Sequence, residues 1–213
     1  PELFKKALAA SCAYSHVHPL GVDAGLVQAK AVALATELTP PVNPDEYLAA
    51  LEQCSETKEI RGWLGQLRTA LAKAPPMNLP TPPTPDSGET TKFFDDPAWQ
   101  AAFQKEVAIQ FDMASSIVGS DKMRFQIDGP SAVICALIPF LRLQDRVNDV
   151  IATSIALGGD TDTIASMAGA ISGALAGGSD WVLPQVWNGL DNSDRGRDWA
   201  ITLTKKLAHL AEN

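Results

Sequence analysis

One helix constrains what this chain can fold into more than any other part of it. Between Gly158 and Ala174 the sequence reads GGDTDTIASMAGAISGA, and Ala165, Gly169, Gly173 and Gly177 recur at every fourth position. Ala168, Ser172 and Ala176 lie beside that row. A helix with so little side chain along one strip lets a neighbouring helix approach closely. Such packing holds whatever loop precedes the helix rigidly on the core. The preceding loop is Gly158–Gly159, a pair that allows a tight backbone turn, and it leads directly into Asp160, Asp162 and Thr163.

Helical periodicity runs through the rest of the chain. Leu3, Phe4, Ala7, Leu8 and Cys12 follow i, i+3, i+4 spacing and predict an amphipathic helix over the first dozen residues. Ser15 to Pro19 ends it, because a residue before proline is driven out of the α region. Further helices are predicted over about 22–38, 44–51 with Asn43 as cap, 56–74, 99–118, 130–141, 145–157, 163–176 and 194–210. Asp96 with Pro97 suits the start of the helix that contains Trp99, and Asp128–Gly129–Pro130 is a break. Strand signals are almost absent, so the fold class is all-α. Six prolines in PPMNLPTPPTP, residues 75–85, forbid regular structure and favour an extended loop. No basic anchor residue lies within them, which argues for a surface insertion over a docking segment for a proline-binding module.

At 213 residues and 46% hydrophobic, the chain can bury a sizeable core. A net charge of -8 argues against nucleic-acid binding, which needs a concentrated basic footprint. Three cysteines without C-x-x-C spacing suit buried thiols in a reducing compartment, and with three scattered histidines they form no zinc set. No targeting peptide or membrane span is legible. The opening Pro1–Glu2–Leu3–Phe4, already helical and without methionine, is expected to belong to a piece whose upstream part was removed or sits in another chain.

Asp160, Asp162 and Thr163 offer only hard oxygen donors, which Mg²⁺ and Ca²⁺ prefer. Ile164 to Gly173 adds no further acidic oxygen, which excludes an EF-hand. On spacing alone two readings stand: a divalent-cation site, and an acidic first turn favoured by the helix dipole.

Taken whole, GGDTDTIASMAGAISGA resembles the C-terminal signature of the ADP-ribosylglycohydrolase family, the dinitrogenase reductase-activating type, and leans toward its ADP-ribosyl-serine hydrolases. The likeness is close over residues 151–177 and looser elsewhere. It implies an all-α orthogonal multi-helix bundle. It also implies that Asp160, Asp162 and Thr163 ligate two Mg²⁺ ions, with Asp162 bridging and Asp160 a candidate catalytic group. Ser15–His16–Val17–His18–Pro19, continued by Leu20–Gly21, resembles the family's Thr-His segment and puts His16 against the adenosine moiety. Gly129–Pro130–Ser131–Ala132–Val133 resembles another stretch and puts Met123 near an adenine-contacting position; a plain core role is the rival for Met123. His18 reads as helix-ending turn chemistry and His209 as surface.

Three family features have no counterpart here: a catalytic glutamate near the start, a Thr-Asp-Asp-Thr motif and a glycine-rich loop. Residues 1–213 are therefore expected to be the C-terminal part of a single domain, with a proline-rich insertion at 75–95. The missing N-terminal half of the same fold supplies the remaining Mg²⁺ ligands, and the isolated fragment is inactive. The resemblance implies a cytoplasmic Mg²⁺-dependent hydrolase, with nuclear and mitochondrial-matrix locations also open. Its substrate is an ADP-ribosylated protein or other ADP-ribose conjugate, and neither nucleic acid nor membrane is a partner. The alternative is a non-catalytic ADP-ribose-binding relative or scaffold. A D-x-D sugar transferase fits less well, because no α/β nucleotide-binding pattern is present.

Overall fold

The computed structural model describes residues 2–15, 17–81, 95–178 and 180–211, and among them every regular element is a helix. In chain order these are α1 Glu2–Cys12, α2 Pro19–Glu37, α3 Pro44–Cys54, α4 Lys58–Lys73, α5 Pro97–Val118 and α6 Ser120–Met123. They continue as α7 Gly129–Leu143, α8 Val147–Ala156, α9 Thr161–Ala176, α10 Pro184–Gly189 and α11 Arg197–Ala211. Two compact units result, one ending at Trp181 and the other beginning at Val182.

The first unit is built around α7. Every residue from Pro130 to Leu141 is buried, and a helix apolar on all sides belongs in the middle of a bundle. Helices α2, α4, α5, α8 and α9 pack on it. Tyr47 of α3 sets its ring 5.2 Å from that of Phe140 and donates its hydroxyl to the Ala31 carbonyl of α2. The small-residue helix behaves as its sequence demands. Ile164, Ala168, Ile171 and Leu175 of α9 face the core, and Gly169 leaves so little room that a methyl there would stand 3.3 Å from Ile151 of α8. No helix among the described residues is long and apolar enough to cross a membrane.

Several helix starts are set by short polar side chains. Asn43, Thr57, Asp96 and Asp128 each accept a hydrogen bond from a first-turn N–H of α3, α4, α5 and α7. The segment at 15–19 corrects one sequence expectation. α2 begins at Pro19, three residues before the predicted start, and His18 is its N-cap, accepting from the Leu20 N–H through Nδ1 at 3.3 Å. Proline at the first helical position loses no needed donor, so His18 starts a helix and does not end one.

The proline-rich stretch is held from below as far as it is described. Arg142 and Glu106 form a bidentate pair at 2.7 and 2.6 Å, and Arg142 also donates to the Pro75 carbonyl at 2.8 Å. Arg146, paired with Asp149, donates to the carbonyls of Leu79 and Pro80 at 2.6 and 2.9 Å. Leu79 itself is buried. Residues 82–94, most of the insertion predicted at 75–95, lie outside the described residues.

In the second unit Arg197 lies 4.8 Å over the Trp187 ring and donates to the Trp187 carbonyl. Trp199, Leu203, Leu207 and Leu210 of α11 are exposed.

Candidate functional site

The turn before α9 is made by glycine. Gly158 and Gly159 have φ of 78° and 74°, a left-handed region that other residues enter only at a cost. Two such residues in succession reverse the chain between α8 and α9, and Asp160 then stands at the N-cap of α9. Its side chain makes no capping hydrogen bond, so it is not committed to closing the helix end. It is half-buried, whereas Asp162 and Thr163 are exposed.

The two carboxyls meet. The Asp160 carboxyl beside it, followed by the backbone N–H groups of Thr163 and Asp162 itself, holds the Asp162 carboxyl below the usual carboxylate range, with burial opposing. Asp162 is accordingly a carboxylate at neutral pH. Two carboxyls and a hydroxyl thus belong to one turn at the positive end of α9. Their chemistry fits a hard cation such as Mg²⁺. Their number does not complete a shell: among the described residues no three His, Cys, Asp or Glu side chains converge on a common point. Three oxygens from one turn can hold one side of a cation site, and octahedral coordination requires the rest from elsewhere.

An open cleft of about 380 Å³ is lined by His18, Leu20 and Gly21 of the α2 start, by Glu59, by Lys122, and by residues 127–130. That volume falls within the range of small-molecule sites. Its floor exists because two helix starts approach closely: a methyl on Gly129 would stand 3.2 Å from the Ala24 Cβ and 3.7 Å from the Gly21 Cα. Its rim carries both charges. Lys122 lies 4.8 Å over the Trp63 ring and 3.9 Å from Asp128. Asp128 also accepts from the Ser131 N–H and hydroxyl.

Cleft and acidic turn share one piece of backbone. Ile127 and Asp128 line the cleft, while the preceding Gln126 packs its amide under Gly159, where a methyl would come within 2.8 Å of Gln126 Cδ and Oε1. His16 lies outside the described residues, but His18, Leu20 and Gly21, which follow it closely, line the cleft. Met123 is buried, with its sulfur 3.7 Å from Cys135 Sγ and its carbonyl accepting from Gln126. The structure thus brings Asp160 and Asp162 together and places Met123 in the core beneath the 126 turn. Sequence reasoning missed Glu59, Lys122, Ile127 and Gln126. No local pattern marks them, because what brings them beside the α2 start and the Gly159 turn is packing between segments distant in the chain.

The family model described as ADP-ribosylglycohydrolase matches residues 1–213, the whole chain. No curated protein matches the chain, and no solved structure does.

Proposed function

We propose, since this chain belongs to the ADP-ribosylglycohydrolase family, that it carries part of the active site of a Mg²⁺-dependent hydrolase. The family acts on ADP-ribose conjugates, and that substrate class is the premise. The observation that carries the finer reading is the backbone shared by the acidic turn and the cleft. A ligand with an apolar, hydrogen-bonding base at one end and ribose hydroxyls at the other can span such a pair of subsites.

In this reading the cleft takes the adenosine end. Leu20, Ile127 and Pro130 cover its faces, and Glu59, Asp128 and His18 receive its polar edge; the likeness of residues 15–19 to the family's Thr-His segment assigns His16 to the same adenosine. Met123 backs the cleft from within the core. Asp160, Asp162 and Thr163 would hold the two Mg²⁺ ions. Bound there, Mg²⁺ would supply electrostatic stabilisation and help to orient the distal ribose. Asp160, half-buried and free of capping duty, takes a proton from the water that attacks the anomeric carbon. The bond from that carbon to the departing nitrogen or oxygen breaks, that atom takes up the proton held by Asp160, and ADP-ribose is released with the carboxylate restored. The three thiols, all free, suit a cytoplasmic setting.

Replacing Asp162 by Asn keeps the size and removes the charge. In the complete protein it should lower Mg²⁺-dependent release of ADP-ribose by about a hundredfold or more, measured as free ADP-ribose from a modified peptide. Turnover at the wild-type rate removes Asp162 from the mechanism. One observation favours a second reading. No third acidic ligand joins Asp160 and Asp162 among the described residues, as expected of a relative that binds ADP-ribose without cleaving it. Calorimetric titration with ADP-ribose, with and without Mg²⁺, separates the two, because metal-independent binding without turnover belongs to the binder.

A further inference from the structure

Gln126 combines three unfavourable features in one residue. Its backbone sits at φ 54°, a left-handed conformation rare for glutamine. Its side chain is 1% exposed, and its Oε1 is buried with no hydrogen-bond partner. Its amide lies where even a methyl on Gly159 would collide, at 2.8 Å from Cδ and Oε1. Strain of this kind persists only where the surroundings over-determine it, and it collects at functional sites. If the position needed only a turn, glycine would make it without strain and without an orphaned acceptor.

What the amide does is visible from the other side of the contact. Gly158 and Gly159 have no side chains, so the turn that delivers Asp160 and Asp162 cannot lock itself by packing. Gln126 fills the space directly under it, tethered by its Nε2 hydrogen bond to the Met123 carbonyl at 3.1 Å. We propose that Gln126 is a positioning residue: its buried amide is the floor that sets the Gly158–Thr163 turn at a fixed height relative to the cleft. The importance of that height for a cation rests on the function proposed above, whereas the height itself does not.

The experiment uses the full-length chain in wild-type form and as Gln126→Gly and Gln126→Met. Glycine relieves the backbone and removes the floor. Methionine keeps the bulk and removes the orphaned oxygen. The first readout is amide hydrogen exchange at Gly158 and Ile164, whose N–H groups donate to the Ile155 and Asp160 carbonyls across the turn. Gln126→Gly should exchange at both about tenfold faster while its melting temperature stays near wild type, and Gln126→Met should return the rates to wild type. Unchanged exchange in the glycine variant overturns the proposal. So does a glycine variant that melts far below wild type, because Gln126 is then an ordinary core residue.

The second readout is terbium luminescence with Mg²⁺ competition, where the glycine variant should bind about tenfold more weakly and the methionine variant normally. Undiminished terbium affinity in the glycine variant overturns the proposal as well. If exchange responds as expected and no form of the protein binds terbium, the cation reading falls and the positioning role stands.

Discussion

Asp23 ties α2 to the connection between α3 and α4. It is 2% exposed, and its carboxylate accepts from the hydroxyls of Ser55 and Thr57 and from the N–H groups of Glu56 and Thr57. Taking it away leaves four donors without their acceptor, and each lost partner costs on the order of 1 kcal/mol. Asp23→Ala should therefore lower stability by about 3 kcal/mol in a urea titration, and Asp23→Asn, which keeps one acceptor oxygen, by about half of that. A loss within about 0.5 kcal/mol of zero would mean that the donors find water, and that the cluster adds little. The two turn glycines allow a sharper comparison. Alanine at Gly158 pays only for its φ of 78°, because nothing lies within 4 Å of the new methyl, and should cost about 1 kcal/mol. Alanine at Gly159 pays a similar conformational penalty and also displaces the buried Gln126 amide. Its loss in the same titration should be about twice as large. Equal losses would show that the amide yields freely. Neither Asp23 nor Gln126 is legible in the sequence. The nearest donor to Asp23 is 32 positions away, and the Gly159 contact of Gln126 also joins distant segments. Asp160 and Asp162 are legible because their relation is local: two residues apart, after two glycines.

The glycine row of α9 shows how an element can be read ahead of its neighbours. Its small residues predict close approach, since the spacing that places them on one strip is a property of one helix. Which helix lies against them is not in that spacing. Gly169 meets Ile151 of α8, while Gly173 meets the Trp181 ring. Distances decide what alanine does at each. At Gly173 the new methyl stands 3.5 Å from the Trp181 Cζ2, an ordinary contact. The gain in helix propensity should therefore survive and raise stability by about 0.5–1 kcal/mol. At Gly169 the methyl stands 3.3 Å from the Ile151 Cγ1, so the same gain is offset by the shift Ile151 must make, and the change should come out near zero. Chemical denaturation of both variants checks the order, and Gly169→Ala outranking Gly173→Ala would mean that α8 and α9 have slack between them. The proline-rich stretch has partners that its own spacing does not show, for the same physical reason: Arg142 and Arg146 hold residues 75–80 from more than sixty positions away.

Across the whole molecule, the helical class follows from patterns repeated in every segment, so errors at single boundaries, such as the late start assigned to α2, do not disturb it. The apolar run at 130–141 identifies a buried helix for the same reason: no face of it can be left in water. Burial on that scale changes how the fold responds to alkali. Cys135, in the middle of α7, has its thiol pushed from 9.0 up to about 12 by burial, with the charge of Asp128 adding to the effect. Burial also raises the phenol of Tyr47. Between pH 9 and 12 the unfolded chain sheds the Cys135 proton and the folded chain keeps it, so the unfolded state binds fewer protons and stability falls as pH rises. The contribution is fully present below the ordinary thiol value and is lost upward through that window, at a slope approaching 1.4 kcal/mol per pH unit for a single group. Cys135→Ala removes the titration at the cost of a small cavity, so it should begin less stable by about 1 kcal/mol. Urea midpoints of the two proteins from pH 8 upward should then converge as the wild type loses stability faster, and cross before the thiol of the folded state ionises. Parallel lines would mean that the Cys135 thiol ionises as easily in the folded bundle as in the open chain, and that the centre of α7 is wetter than its packing implies.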